Sequence, residues 1–149
     1  MAAALFVDAL SRRSTGSAAN EWRVSSAGTW ATEGLPASPF AVEVLAEKGI
    51  DLSAHRSHGL GQGDLEAADV VLVMTGSHRD AVVAEFSDAA SKVFMISQMT
   101  DRIFDISDPY GGPKAEYIAC AEDLQGLIES GFERITVQAR AGARGRGVV

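Results

Sequence analysis

Val70-Val71-Leu72-Val73-Met74 is a continuous apolar run between Asp69 and Thr75. Apolar residues without alternation mark a strand covered on both faces, as in a parallel sheet packed by helices. Downstream, Ser77 is placed to cap a helix carrying Ala81, Val82 and Phe86, and Lys92 to Ile96 reads as the next strand. Ser97 to Pro113 is then a loop of 17 residues, long enough to be a working segment. The last helix is expected from about Lys114 to Ser130, with Tyr117, Ala121, Leu124 and Ile128 on one face. Upstream, Ser38-Pro39 is an N-cap followed by proline at the first helical position, and Ala41, Val44 and Leu45 mark the buried face up to a stop at Gly49. Gly28 to Ala37 is a loop. Trp22 to Ala27 alternates Trp22, Val24 and Ser26 against Arg23 and Ser25 and predicts a short strand. Leu5, Phe6, Ala9 and Leu10 recur at helical spacing, so the chain opens on an amphipathic helix ending near Ser14–Gly16. Strands alternating with helices predict an α/β fold, a doubly wound parallel sheet with helices on both faces.

Composition narrows the function. At 149 residues and 46% hydrophobic, the chain has the material for one core, assigned here to residues 1–135. The segment 136–149 differs in kind. It holds Arg140, Arg144 and Arg146, three glycines and no acid, and reads as a flexible, solvated end. Removing its charge of +3 from the formal −7 leaves the rest at −10. That balance argues against nucleic-acid binding. No apolar run approaches the roughly 18 residues of a membrane-spanning helix. One cysteine permits no disulfide within the chain and suits a reducing cytoplasm.

Asp108-Pro109-Tyr110-Gly111-Gly112 carries the chemistry. Pro109 fixes its own φ and pushes Asp108 into an extended conformation, and the glycines allow a path other residues resist. One carboxylate on a rigid elbow is what a general acid requires. By itself the motif is also an ordinary acidic turn. Read together with Ser26-Ala27-Gly28-Thr29, Gly49-Ile50-Asp51-Leu52-Ser53-Ala54-His55-Arg56-Ser57 and Ala68 to Thr75, however, it resembles the low-molecular-weight protein phosphatase family, in family order from Met1 to about Ile135. The resemblance implies a sheet of four parallel strands in the order 2-1-3-4. It also implies hydrolysis of phosphotyrosine or phosphoarginine through a cysteinyl-phosphate, with Asp108 as general acid, and no cofactor. Substrates would be phosphorylated proteins or small phosphomonoesters. His55 and Arg56 would belong to the scaffold that braces the phosphate loop.

These phosphatases open with a strand, a C-x5-R-S-P loop and a helix beginning M-A-E-A-L-F. This chain begins Met1-Ala2-Ala3-Ala4-Leu5-Phe6. The resemblance therefore places that strand, the nucleophilic cysteine, the loop and its arginine upstream of residue 1. The absent strand would be an inner one, and 22–27 and 70–74 would each lose a hydrogen-bonding partner. Cys120 is no replacement, because Gly126 stands where the signature needs arginine. Its neighbours Glu116, Glu122 and Asp123 would also raise a thiol pKa, so an apolar filler role fits it better.

Other features carry less. Gly59-Leu60-Gly61-Gln62-Gly63 follows no strand and reads as a flexible loop, not a dinucleotide loop. His55, His58 and His78 match no zinc spacing. Tyr110 and Trp30 could line a pocket for an aromatic or guanidinium group, with ordinary packing equally open for Trp30. Two readings of function follow. One is a phosphatase whose first segment lies outside this sequence; the other is a non-catalytic relative acting as a binding module. Arsenate reductases of this fold need redox cysteines beyond Cys120. In the family a residue of the absent loop separates tyrosine from arginine specificity, and nothing in the sequence indicates an oligomeric state.

Overall fold

The computed structural model describes residues 1–13 and 21–146. Its elements run α1 (Ala2–Arg13), α2 (Pro39–Glu47), α3 (Gln62–Ala67), β1 (Val71–Val73), α4 (Gly76–Glu85), β2 (Val93–Met95) and α5 (Lys114–Arg146), with 3-10 helices at Ser87–Lys92 and Ile96–Thr100. They gather into two units, Met1–Gly59 with Asp108–Glu129, and Leu60–Ser107 with Ser130–Val149.

In the second unit the apolar run at 70–74 becomes β1, paired in parallel with β2 so that Val71, Leu72 and Val73 face Val93, Phe94 and Met95. Parallel strands need a crossover, and α4 with the first 3-10 helix supplies it. Leu65, Val82, Ala89 and Val93 are buried beneath it, with Val71, Val73 and Phe86 packed around them. The cap of α4 is Thr75, whose hydroxyl accepts the His78 N–H at 3.1 Å. Ser77, expected in that role, lies inside the helix. The strand ends at Val73 and the backbone at Thr75 is still extended, so the cap falls at Thr75, ahead of the expected Ser77, and the helix begins at Gly76. Residues 59–63 also differ from expectation, because Gly61 is the N-cap of α3 and its N–H donates to Asp64 Oδ2 at 2.9 Å.

In the first unit α2 starts with Pro39 after Ser38, as expected, and stops at Gly49. The Gly49 N–H bonds to the Ala46 carbonyl and the Ile50 N–H to the Leu45 carbonyl, at 2.9 Å each, with Gly49 at φ 78°. That left-handed residue closes the orphan carbonyls of the last turn and suits glycine. The N-terminal half of α5 joins α1 and α2. Arg12 reaches Glu129 at 3.2 Å, Lys48 reaches Gln125 at 2.9 Å, and Phe40 meets Tyr117 edge-on at 5.7 Å. Leu5, Ala9, Leu45, Ala121 and Ile128 are among its buried residues.

Two expectations need correction. Trp22 to Ala27 is not a strand. Its alternation is real, since Trp22 and Val24 are half-buried and Trp22 meets Phe6 edge-on at 5.8 Å. Alternation is local, however, and a strand exists only where a neighbouring backbone takes its hydrogen bonds. Among the described residues only a two-stranded sheet forms. The second correction concerns the end of the chain. Helix α5 does not stop near Ser130 but runs to Arg146, through most of the segment expected to be flexible. Leu124, Ile128, Gly131, Ile135, Ala139 and Gly142 continue one helical face, and Ile135 and Ala139 are buried. Small residues on that stripe hid it from a hydrophobicity reading. Residues 14–20 and 147–149, including the expected end of the first helix at Ser14–Gly16, lie outside the described residues.

Candidate active site

Asp108 stands at the entry to a tight turn in the first unit. Pro109 is buried and anchors the turn, and the Gly112 N–H closes it on the Pro109 carbonyl at 2.9 Å. Gly111, at φ 81°, occupies the left-handed position that such a turn demands. A side chain at Gly112 would collide with the Glu116 carboxylate and approach the Pro109 carbonyl at 3.1 Å. Oδ1 of Asp108 accepts the Tyr110 N–H at 3.0 Å. That bond pins one carboxylate oxygen to the turn and leaves the exposed carboxyl aimed by backbone geometry rather than by a flexible rotamer. Immediately after, Lys114 pairs with Glu47 at 2.8 Å and Glu43 at 3.1 Å, which fixes the first turn of α5 to α2.

Tyr110 is 82% exposed and Trp30 is 92% exposed. Tyr110 shares the turn of Asp108, whereas Trp30 belongs to a separate turn after Gly28. Among the described residues neither ring packs on another aromatic ring. The loop bearing Trp30 is tied to residues 57–59 by Ser57 and Glu33, neither of which sequence reading singled out as a holding residue. Their partners lie 22 to 26 positions away, and no local pattern announces a bond of that range.

Asp105 belongs to the second unit and is already engaged. Its Oδ1 accepts the Gly76 N–H at 2.8 Å at the start of α4, and the neighbouring Ile106 N–H bonds to the Met74 carbonyl at 2.9 Å. Asp105 therefore stabilises the free N–H end of a helix, a structural task. Asp105→Ala should lower stability by about 0.5–2 kcal/mol, the range for a lost cap, as read by chemical denaturation.

Cys120 is buried in α5. Burial pushes its thiol pKa up; the N-terminal ammonium opposes this, and Asp108 and Asp123 add to it. A thiol held protonated is a poor nucleophile. Cys120 should react with iodoacetamide at pH 8 at least about tenfold more slowly than a free cysteine, and at the ordinary rate once the protein is unfolded in denaturant. His55 is shifted downward, first by burial and then by the positive charges of the N-terminus, Arg56 and His58. Arg56 turns inward on its own loop, with Nη1 donating to the Ser53 carbonyl at 3.2 Å and the His55 carbonyl at 2.6 Å. Both residues thus sit in a braced turn, started by the Asp51 carboxylate accepting the Ser53 N–H at 2.8 Å. Among the described residues no helix is long and apolar enough to cross a membrane.

Comparison with known proteins identifies the class to which this α/β fold belongs. The chain belongs to the low molecular weight phosphotyrosine protein phosphatase family, whose model matches residues 1–140. It is 42% identical over 118 residues to a protein-arginine-phosphatase of Geobacillus stearothermophilus, covering 77% of this chain and 78% of that one. The solved YwlE arginine phosphatase from Geobacillus stearothermophilus superposes with a TM-score of 0.80 at 37% identity, over 92% of this chain and 84% of that chain. A low molecular weight protein tyrosine phosphatase from T. tengcongensis gives 0.79 at 40% identity, over 89% of this chain and 88% of that one.

Proposed function

We propose that residues 1–149 carry the general-acid loop and substrate-facing surface of a phosphatase for phosphoarginine or phosphotyrosine side chains of proteins, with Asp108 as the acid. The observation that supports this most is the Asp108 carboxylate locked by the Tyr110 N–H onto a proline-anchored turn. In the reaction, a cysteine thiolate attacks phosphorus while the Asp108 carboxyl gives its proton to the departing oxygen or nitrogen. The Asp108 carboxylate then takes a proton from the water that attacks the cysteinyl-phosphate, which releases inorganic phosphate and restores the thiolate. Tyr110 and Trp30 would face the substrate side chain.

Residues 1–149 contain no C-x5-R segment. By themselves they supply the acid but neither the nucleophile nor the amide nest that holds three phosphoryl oxygens. The test joins a strand and C-x5-R-S-P loop ahead of Met1 and follows phosphate release from phosphoarginine and phosphotyrosine peptides. Release from one of them is the expected result. No release from either would overturn the phosphatase reading in favour of a binding module.

A further inference from the structure

In the second unit, the 3-10 helix Ile96–Thr100, the turn after it and the C-terminal half of α5 line a surface cavity of about 300 Å³. That volume lies at the lower end of the range for small-molecule sites. Its wall is fixed by hydrogen bonds. The buried Ser97 hydroxyl donates to the Phe104 carbonyl at 2.8 Å and accepts the Phe104 N–H at 3.2 Å, which closes residues 97–104 on themselves. The Arg102 N–H bonds to the Ser97 carbonyl at 3.3 Å. Asp101, at φ 58°, is the one non-glycine residue with positive φ among the described residues, and its carboxylate binds Arg134. Arg134 Nη1 also donates to the Gln98 carbonyl at 3.2 Å and so ties α5 to this loop.

The lining combines positive charge with apolar surface. Phe94, Met99 and Ile103 supply hydrocarbon, and Ile103 is 78% exposed although large and aliphatic. Arg102 and Arg134 stand against one acid, Asp101, which leaves an excess of one positive charge in a chain of formal charge −7. The two arginines differ. Arg134 is committed to Asp101 and to the Gln98 carbonyl. The Arg102 guanidinium lies over the Phe104 ring, with Cζ 4.8 Å from the centroid, and among the described residues no carboxylate pairs with it. Stacking fixes the plane of the group and leaves its edge N–H donors for an oxyanion, which accepts two of them side by side. A bare inorganic anion would leave the apolar wall wet, and a neutral apolar molecule would leave Arg102 without its counter-charge. We propose that this cavity binds a small organic anion, its carboxylate or phosphate on Arg102 and its apolar body against Phe94, Met99 and Ile103. The wall is ordered before the ligand arrives, which lowers the cost of binding. Nothing in this inference rests on the phosphatase reading, and residues 1–149 are sufficient to test it.

The experiment titrates residues 1–149 with naphthoate and with phenyl phosphate, following the backbone amides by heteronuclear NMR. At least one of the two should give saturable shifts confined to residues 98–103 and 134–138, with a Kd on the order of 1 mM or below. Neutral naphthamide should bind at least about tenfold more weakly, the loss expected when a charged group goes without its hydrogen-bonded partner. Arg102→Gln should weaken the organic anion by about the same factor, and Arg102→Lys, which keeps the charge without the fork, should recover part of the loss. Ile103→Ser should weaken naphthoate while leaving inorganic phosphate unchanged. Arg79→Gln, an exposed cation on α4 outside this cavity, should change nothing. Arg102 and Ile103 are both exposed, so their variants are expected to fold, and the naphthamide comparison on the unaltered chain decides even where one does not. No saturable shift from either anion, shifts centred elsewhere, or equal affinity for naphthoate and naphthamide would overturn the site. Inorganic phosphate binding as tightly as the organic anions would overturn the role of the apolar wall, and an unchanged Kd in Arg102→Gln would overturn the role of Arg102.

Discussion

Asp108→Ala in the protein extended with a C-x5-R-S-P loop should slow turnover by about 10²–10⁴-fold, the usual cost of removing a positioned general acid. The unextended chain should show no turnover of p-nitrophenyl phosphate at all. The first expectation rests on the elbow: Pro109 buried, Gly111 in the left-handed region, and one carboxylate oxygen held by the Tyr110 N–H at 3.0 Å. The second rests on Cys120, whose thiol is pushed up by burial and which has Gly126 where an arginine would be needed. Asp105→Ala provides the contrast. Its carboxylate stabilises the start of α4, so its loss should appear in stability rather than in the chemical step. Steady-state kinetics on the three proteins checks this. Turnover by the unextended chain would reveal a nucleophile other than a C-x5-R cysteine, and equal losses at Asp105 and Asp108 would mean the acid is not Asp108.

Gly142→Ala should destabilise the protein by about 1–3 kcal/mol, the cost of forcing an atom into packed backbone. Alanine normally improves on glycine inside a helix by about 0.8–1.0 kcal/mol, so the sign is the informative part. A Cβ at Gly142 would collide with the Asp69 carbonyl, which is backbone and cannot swing aside. At Gly131 it would stand 2.7 Å from Met99 Cβ and 3.1 Å from the Met99 carbonyl oxygen, so Gly131→Ala should share the sign. Gly126, in the same helix, has nothing within 4 Å, and Gly126→Ala should stabilise by the ordinary amount. For a chain of this size each kcal/mol moves Tm by about 2–4 °C, so calorimetry resolves the two directions. A rise in Tm for Gly142→Ala would mean that the end of α5 is not packed against Asp69, and the sequence expectation of a flexible end would stand.

Much of this protein is decided locally and is legible in the chain. The apolar run at 70–74 yields a parallel strand, half-buried along its length, because unbroken apolar side chains suit a sheet packed by helices. Ser38-Pro39 and Gly49 bound α2 because proline fixes φ and glycine tolerates the left-handed turn. The elbow at 108–112 is local in the same way, since a proline, an Asx-type bond and a glycine at φ 81° all act within five residues. The tertiary structure decided the rest. Trp22 to Ala27 has the alternation of a strand without becoming one, because pairing is a property of two segments. The stripe from Gly131 to Gly142 looks like a flexible composition until Met99 and Asp69 are seen to approach it, where the absence of a side chain is the means of contact. Asp105 and Asp108 are equivalent as letters, and only their partners separate a helix-stabilising carboxylate from an aimed one. Ser57 and Glu33 carry no local signal at all. Their roles arise from bonds to residues more than twenty positions away, which the chain makes only by folding.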